Sequence, residues 1–145
     1  MAGRRRSRIL ALQFLFAGDL NAWENFDEEL DTFCGRFDIT SEIFPHFFTL
    51  VHGVRDKRRK IDDLLAANSQ HWKISRMSGV DRNIMKIAVY EMMFCPDVPF
   101  KVAINEAIEI SKQFSSEDSG AFINGVLDSI RKQIEQEKKS PTLTC

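Results

Sequence analysis

The chain lacks most of the features by which a short sequence announces its chemistry. Charge of one sign is missing: 20 Lys and Arg stand against 21 Asp and Glu, a formal net charge of −1 over 145 residues. No global field therefore draws in nucleic acid or a membrane, and a polyanion has to be met by a local patch. Cysteine is scarce. Cys34, Cys95 and Cys145 form an odd set without CxxC spacing, and His46, His52 and His71 lie far from them in sequence. That spacing argues against a disulfide framework and a zinc site and suits a reducing compartment, so no metal ligand is nominated. No apolar run approaches the roughly 18 residues of a membrane-spanning helix. A soluble, cytoplasmic protein with no membrane partner is expected. A glycine-rich phosphate loop, a GxSxG elbow and an HExxH helix are all absent, so no catalytic residue and no cofactor are expected.

Alternation of apolar and polar residues is missing as well, whereas helical spacing recurs from end to end. The fold class expected is all-α, with six to seven helices, and 43% hydrophobic residues suffice for the core of one ordinary domain over residues 1–135. A first helix from about Arg5 to Leu20 sets Ile9, Leu12 and Phe16 on one stripe, widened by Leu10, Phe14 and Ala17, with Arg4, Arg5 and Arg8 at its exposed edge. A second carries Phe26, Leu30, Phe33 and Phe37 at spacings of three and four. A long segment from Thr40-Ser41, with Pro45 in its first turn, is bent or broken at the charge run Arg55 to Lys60. Ser78 followed by Asp81 makes a capping-box-like start for a helix that is apolar nearly all round and belongs mid-bundle. Pro99 restarts the chain. In the next helix Ala103, Ile104, Ala107, Ile108 and Phe114 face inward, and Glu106 and Glu109 read as a solvated face. Ser115 or Ser116 can cap the last helix, and residues 136–145 read as a flexible tail.

Four guanidinium groups within Arg4-Arg5-Arg6-Ser7-Arg8 are the most informative local feature, because these planar forks grip phosphate bidentately. If all four met single-stranded RNA, log K would fall against log salt with a slope of roughly −2.8. A solvated tail explains the same letters, and so does the charged region of a signal peptide, although Gln13 interrupts its apolar part and Gly18-Asp19 ends it early. The second basic run, Lys57-Arg58-Arg59-Lys60, reads as a solvated helix face paired with Asp56, Asp62 and Asp63 more readily than as a binding patch. Phe114 to Phe122 places two aromatics, three hydroxyls and two acids at a helix start. They suit base stacking with Asp118 as acceptor, or simply a capped helix over two core rings. Glu91 falls on the apolar stripe Val80, Ile84, Ile87, where a carboxylate calls for a partner.

Three blocks together resemble the NusB family: Arg4 to Arg8 running into Ala11-Leu12-Gln13; Asp97-Val98-Pro99-Phe100-Lys101-Val102-Ala103-Ile104-Asn105-Glu106-Ala107-Ile108-Glu109; and Glu117-Asp118-Ser119 with Phe122-Ile123-Asn124-Gly125-Val126-Leu127-Asp128. Ile87-Ala88-Val89-Tyr90-Glu91 matches the family's central helix. The resemblance implies two packed helical sub-bundles. It also implies a transcription antitermination factor that binds single-stranded boxA RNA together with a small-subunit ribosomal protein, called NusE in this role, and helps RNA polymerase resist termination on ribosomal RNA operons. By matching position it implies Arg4, Arg5, Arg6, Arg8, Phe16, Phe114, Asp118, Ser119 and Phe122 as RNA-binding residues. Asp81, Arg82 and Met85 become the face toward the ribosomal protein. Ala121 and Phe16 depart from the basic residue and the tyrosine common in relatives. A protein-only helical scaffold and a stand-alone relative of the NusB-like domain of ribosomal RNA methyltransferases are the rival readings.

Overall fold

The computed structural model describes residues 3–20, 24–69 and 77–139, so the Cys145, His71 and extreme-tail readings lie outside the described residues. Those residues form seven helices: α1 (Arg4–Leu20), α2 (Phe26–Phe37), α3 (Pro45–Asp56), α4 (Arg58–Asn68), α5 (Gly79–Phe94), α6 (Phe100–Phe114) and α7 (Ser119–Lys139). No strand occurs among them.

Local chemistry sets most of the boundaries. Asp38 ends α2 in the left-handed region (φ 54°, ψ 44°), which a short polar side chain tolerates, and its amide donates to the Cys34 carbonyl. Pro45 occupies the first turn of α3, where its missing N–H costs nothing. The long segment breaks at Lys57, which separates α3 from α4. Ser78 Oγ accepts from the Asp81 amide at 3.0 Å and starts α5. The last helix begins at Ser119, later than Ser115 or Ser116, because Ser115 instead closes α6. It runs on to Lys139, past the Glu135 at which the sequence pattern turned charged.

Helix α5 is the hub. It packs against α1, α3, α4, α6 and α7, and the run from Asn83 to Val89 is buried throughout, with Asn83 bonded to Asp19 and Lys86 facing Asp62. Helices α1, α2 and α3 make one sub-bundle, joined by rings: Phe14 meets Phe26, Phe33 and Phe47 edge-on at centroid distances of 5.5, 5.3 and 6.4 Å. Helices α5, α6 and α7 make the other, with α4 tied across by an Asn68 amide that donates to Gln133 at 2.9 Å. Where α3 crosses α5, Gly53 admits the Tyr90 ring; a Cβ there would run into it.

The contacts fix direction as well as neighbourhood. Arg8 meets Glu91, Arg4 meets Asp97, and Asp19 meets Asn83, so α1 lies antiparallel to α5. No described helix is long and apolar enough to cross a membrane.

Candidate nucleic-acid interface

The arginines emerge where α1 begins, against the end of α5 and the start of α6. Arg4 Nη2 donates to Asp97 Oδ2 at 2.5 Å. Arg5 grips Glu106 with both prongs, Nε to Oε1 at 3.1 Å and Nη2 to Oε2 at 2.6 Å. Arg6 is exposed and makes no ion pair among the described residues.

Arg8 corrects the expectation of an exposed edge. Its side chain is 5% exposed, its Nε donates to both Glu91 oxygens at 3.0 Å, and its Nη1 donates to Glu106 at 3.1 Å. The misfit carboxylate of Glu91 is thus the reason Arg8 turns inward; His46 Nε2, from α3, lies 2.6 Å from the same carboxylate. Four helices, α1, α3, α5 and α6, contribute to this charge cluster, and a guanidinium committed to it has no fork left for a phosphate. Arg8 is a structural residue in this arrangement.

Glu106 is the second correction. Read as part of a solvated face, it is 15% exposed and joins Arg5 to Arg8. The Arg5 hydrogen bond, against the opposing pull of burial and with the charges of Arg5 and Arg8 in support, holds its carboxyl below the ordinary carboxylate value. Asp97 is likewise lowered, first by the Arg4 hydrogen bond. Four guanidinium groups therefore face three carboxylates, a formal charge of +1 rather than +4. A sequence scan for i,i+4 partners misses all three, since Glu91, Asp97 and Glu106 lie 83, 93 and 101 positions from their arginines.

The other nominated residues gather at the opposite end of α1. From Arg4 to Phe16 the helix rises about 18 Å. Phe16 is half-buried over Gly79, where an added Cβ would come within 2.8 Å of its ring. Arg82 lies 3.8 Å from Asp19. The Asp81 carboxylate does not reach back to complete a capping box; it accepts from Ser115 at 2.6 Å and from Ser119 at 2.9 Å, and so pins the α6–α7 junction onto the first turn of α5. Asp118 is exposed beside that junction, while Phe114 and Phe122 are half-buried against the core.

Two further nominations give way here. Ser119 is buried and its hydroxyl also meets Ser115 and Ser116, at 2.8 and 3.0 Å, so it holds the junction rather than facing outward. Met85 is fully buried and offers no surface to a partner protein; of the three residues assigned to that face, Arg82 is the most exposed. Ser119 is covered because its hydroxyl docks on Asp81 in the first turn of α5, and Met85 because it lies further along that central, buried helix. Among the described residues no cluster of three or more His, Cys, Asp or Glu is placed to hold a metal.

Comparison with known proteins agrees with this architecture. The NusB family model matches residues 5–132. The transcription antitermination protein NusB of Desulfosudis oleivorans is 60% identical over 136 residues, covering 92% of this chain and 88% of that protein, and its namesake from Desulfatibacillum aliphaticivorans is 48% identical, covering 97% of each. Among solved structures, T. maritima NusB superposes with a TM-score of 0.79 at 32% identity, covering 90% of this chain and 92% of that one. A structure of antitermination factors NusB and NusE in complex with dsRNA superposes with a TM-score of 0.78 at 25% identity, covering 90% and 96%. Seven helices with the arginine-bearing α1 laid along a buried central helix, together with a family match over nearly their whole length, place this chain in the NusB family.

Proposed function

We propose that the chain is the RNA-binding member of a transcription antitermination complex, pairing with a NusE-type ribosomal protein on boxA RNA so that RNA polymerase resists termination on ribosomal RNA operons. The observation that carries the reading is the exposed row of Arg4, Arg5 and Arg6 at the head of α1, in a fold that a solved relative uses in complex with NusE and RNA. Arg6 supplies a phosphate contact as it stands, and Arg4 and Arg5, both at the surface, join it on release from Asp97 and Glu106. Toward the other end of α1, where Phe16 stands about 18 Å along the helix from Arg4, Phe16, Phe114 and Phe122 offer half-buried rings for bases, with Asp118 as a hydrogen-bond acceptor, and Arg82 beside Asp19 faces the partner protein. Single-stranded RNA suits this division because unstacked bases can reach the rings while phosphates reach the arginines. The chain works as a cytoplasmic, non-enzymatic binding factor.

The test is a titration of labelled boxA RNA, single-stranded and as a duplex of the same sequence, at two salt concentrations, with and without the purified ribosomal protein. Salt-sensitive binding of the single strand, strengthened by the partner and lost in Arg5→Ala/Arg6→Ala, is expected. Wild-type protein that ignores both RNA forms even beside its partner refutes the reading and leaves the protein-only scaffold.

A further inference from the structure

The second basic run is not the evenly paired face its sequence suggested. Helix α4 divides it. Asp56, Asp62 and Asp63 gather with Arg55, Arg58 and Arg59 around one shallow surface depression. Lys57 and Lys60 turn the other way, with their ammonium groups 5.3 and 5.9 Å from the centre of the Phe94 ring. Both lysines are exposed, Phe94 is half-buried, and among the described residues neither ammonium forms an ion pair. Tyr90 lies beside Phe94 with ring centroids 5.2 Å apart, so the platform is an aromatic pair with two cations over its Phe94 ring.

Its position gives it meaning. Phe94 is the last residue of α5, three before the Asp97 that pairs with Arg4. On a helical wheel it stands about 60° from Glu91, the residue that anchors Arg8. The platform and the head of α1 therefore flank the same end of α5.

We infer that Tyr90, Phe94, Lys57 and Lys60 form a second single-stranded RNA contact, which takes the nucleotides just beyond those held at the arginines. A base that stacks on Phe94 replaces the lysines as the ring's partner and delivers its flanking phosphates to them, so the existing cation–π contacts are exchanged rather than lost. An acidic peptide would draw both ammonium groups off the Phe94 ring and put no aromatic partner in their place, which favours RNA. The inference rests on the RNA-binding reading above.

The test uses the full chain with its ribosomal partner and two labelled RNAs, a short boxA oligonucleotide and the same oligonucleotide extended by about five unstructured nucleotides at each end. For wild type, the extended RNA should bind several-fold tighter. Lys57→Gln/Lys60→Gln should lose that gain and flatten the log K against log salt slope by about 1.4, at roughly 0.7 per phosphate, while leaving the short RNA's affinity unchanged. Phe94→Leu, which keeps an apolar side chain over the core, should lose the stacking gain without the change in slope. If the short RNA binds but extension adds nothing, or if the variants bind both RNAs as wild type does, the inference is overturned. Displacement of a polyglutamate peptide by those variants with no effect on extended RNA overturns it in favour of a protein ligand. If wild type binds neither RNA, the reading beneath fails and takes the inference with it.

Discussion

Replacing Arg8 separates a folding role from an RNA-binding one. In Arg8→Met the Glu91 carboxylate, 1% exposed, keeps His46 at 2.6 Å but loses the guanidinium that supplied two hydrogen bonds at 3.0 Å. Removing one partner of a buried pair costs about 3–5 kcal/mol, because the remaining charge stays desolvated. For a chain of this length that corresponds to a Tm lower by roughly 10–15 °C. Arg8→Met/Glu91→Met removes both charges and fills the space with apolar side chains, an exchange that is neutral or stabilising in comparable buried pairs, so most of the loss should be recovered. Thermal and urea unfolding followed by circular dichroism measure both variants. The reasoning is refuted if Arg8→Met unfolds within about 1 kcal/mol of wild type while losing RNA affinity, since that would make Arg8 a phosphate ligand after all.

Other perturbations follow from the same ion pairs and from one close approach. Asp97→Asn frees the Arg4 guanidinium, so RNA titrations over a salt series should show tighter binding at low salt and a slope steeper by about 0.7. Glu106 is held below its ordinary value of 4.5, so its contribution to stability is complete above about pH 4.5 and disappears as pH falls through the lowered folded-state value; Glu106→Gln should flatten the stability profile in that acid range, as read by unfolding at a series of pH values. Gly53→Ala drives a methyl group into the Tyr90 ring and should lower stability by about 1–3 kcal/mol in urea unfolding, less if the half-buried ring swings outward.

Periodicity and turn chemistry belong to consecutive residues, and the sequence accordingly determined the all-helical class, the Ser78 cap, the interruption near Lys57 and the all-round burial of α5. It also singled out Glu91 as a charge in need of a partner, because a carboxylate on an apolar stripe is a local contradiction that only a distant group can resolve. Which group, and at what cost to the site, was decided by tertiary structure alone. Arg8 and Glu91 are separated by 83 positions, Arg5 and Glu106 by 101. Electrostatic pairing depends on distance through space, so the antiparallel packing of α1 on α5 buried Arg8 in the core and paired Arg4 and Arg5 at the surface, and left Arg6 without an ion pair among the described residues.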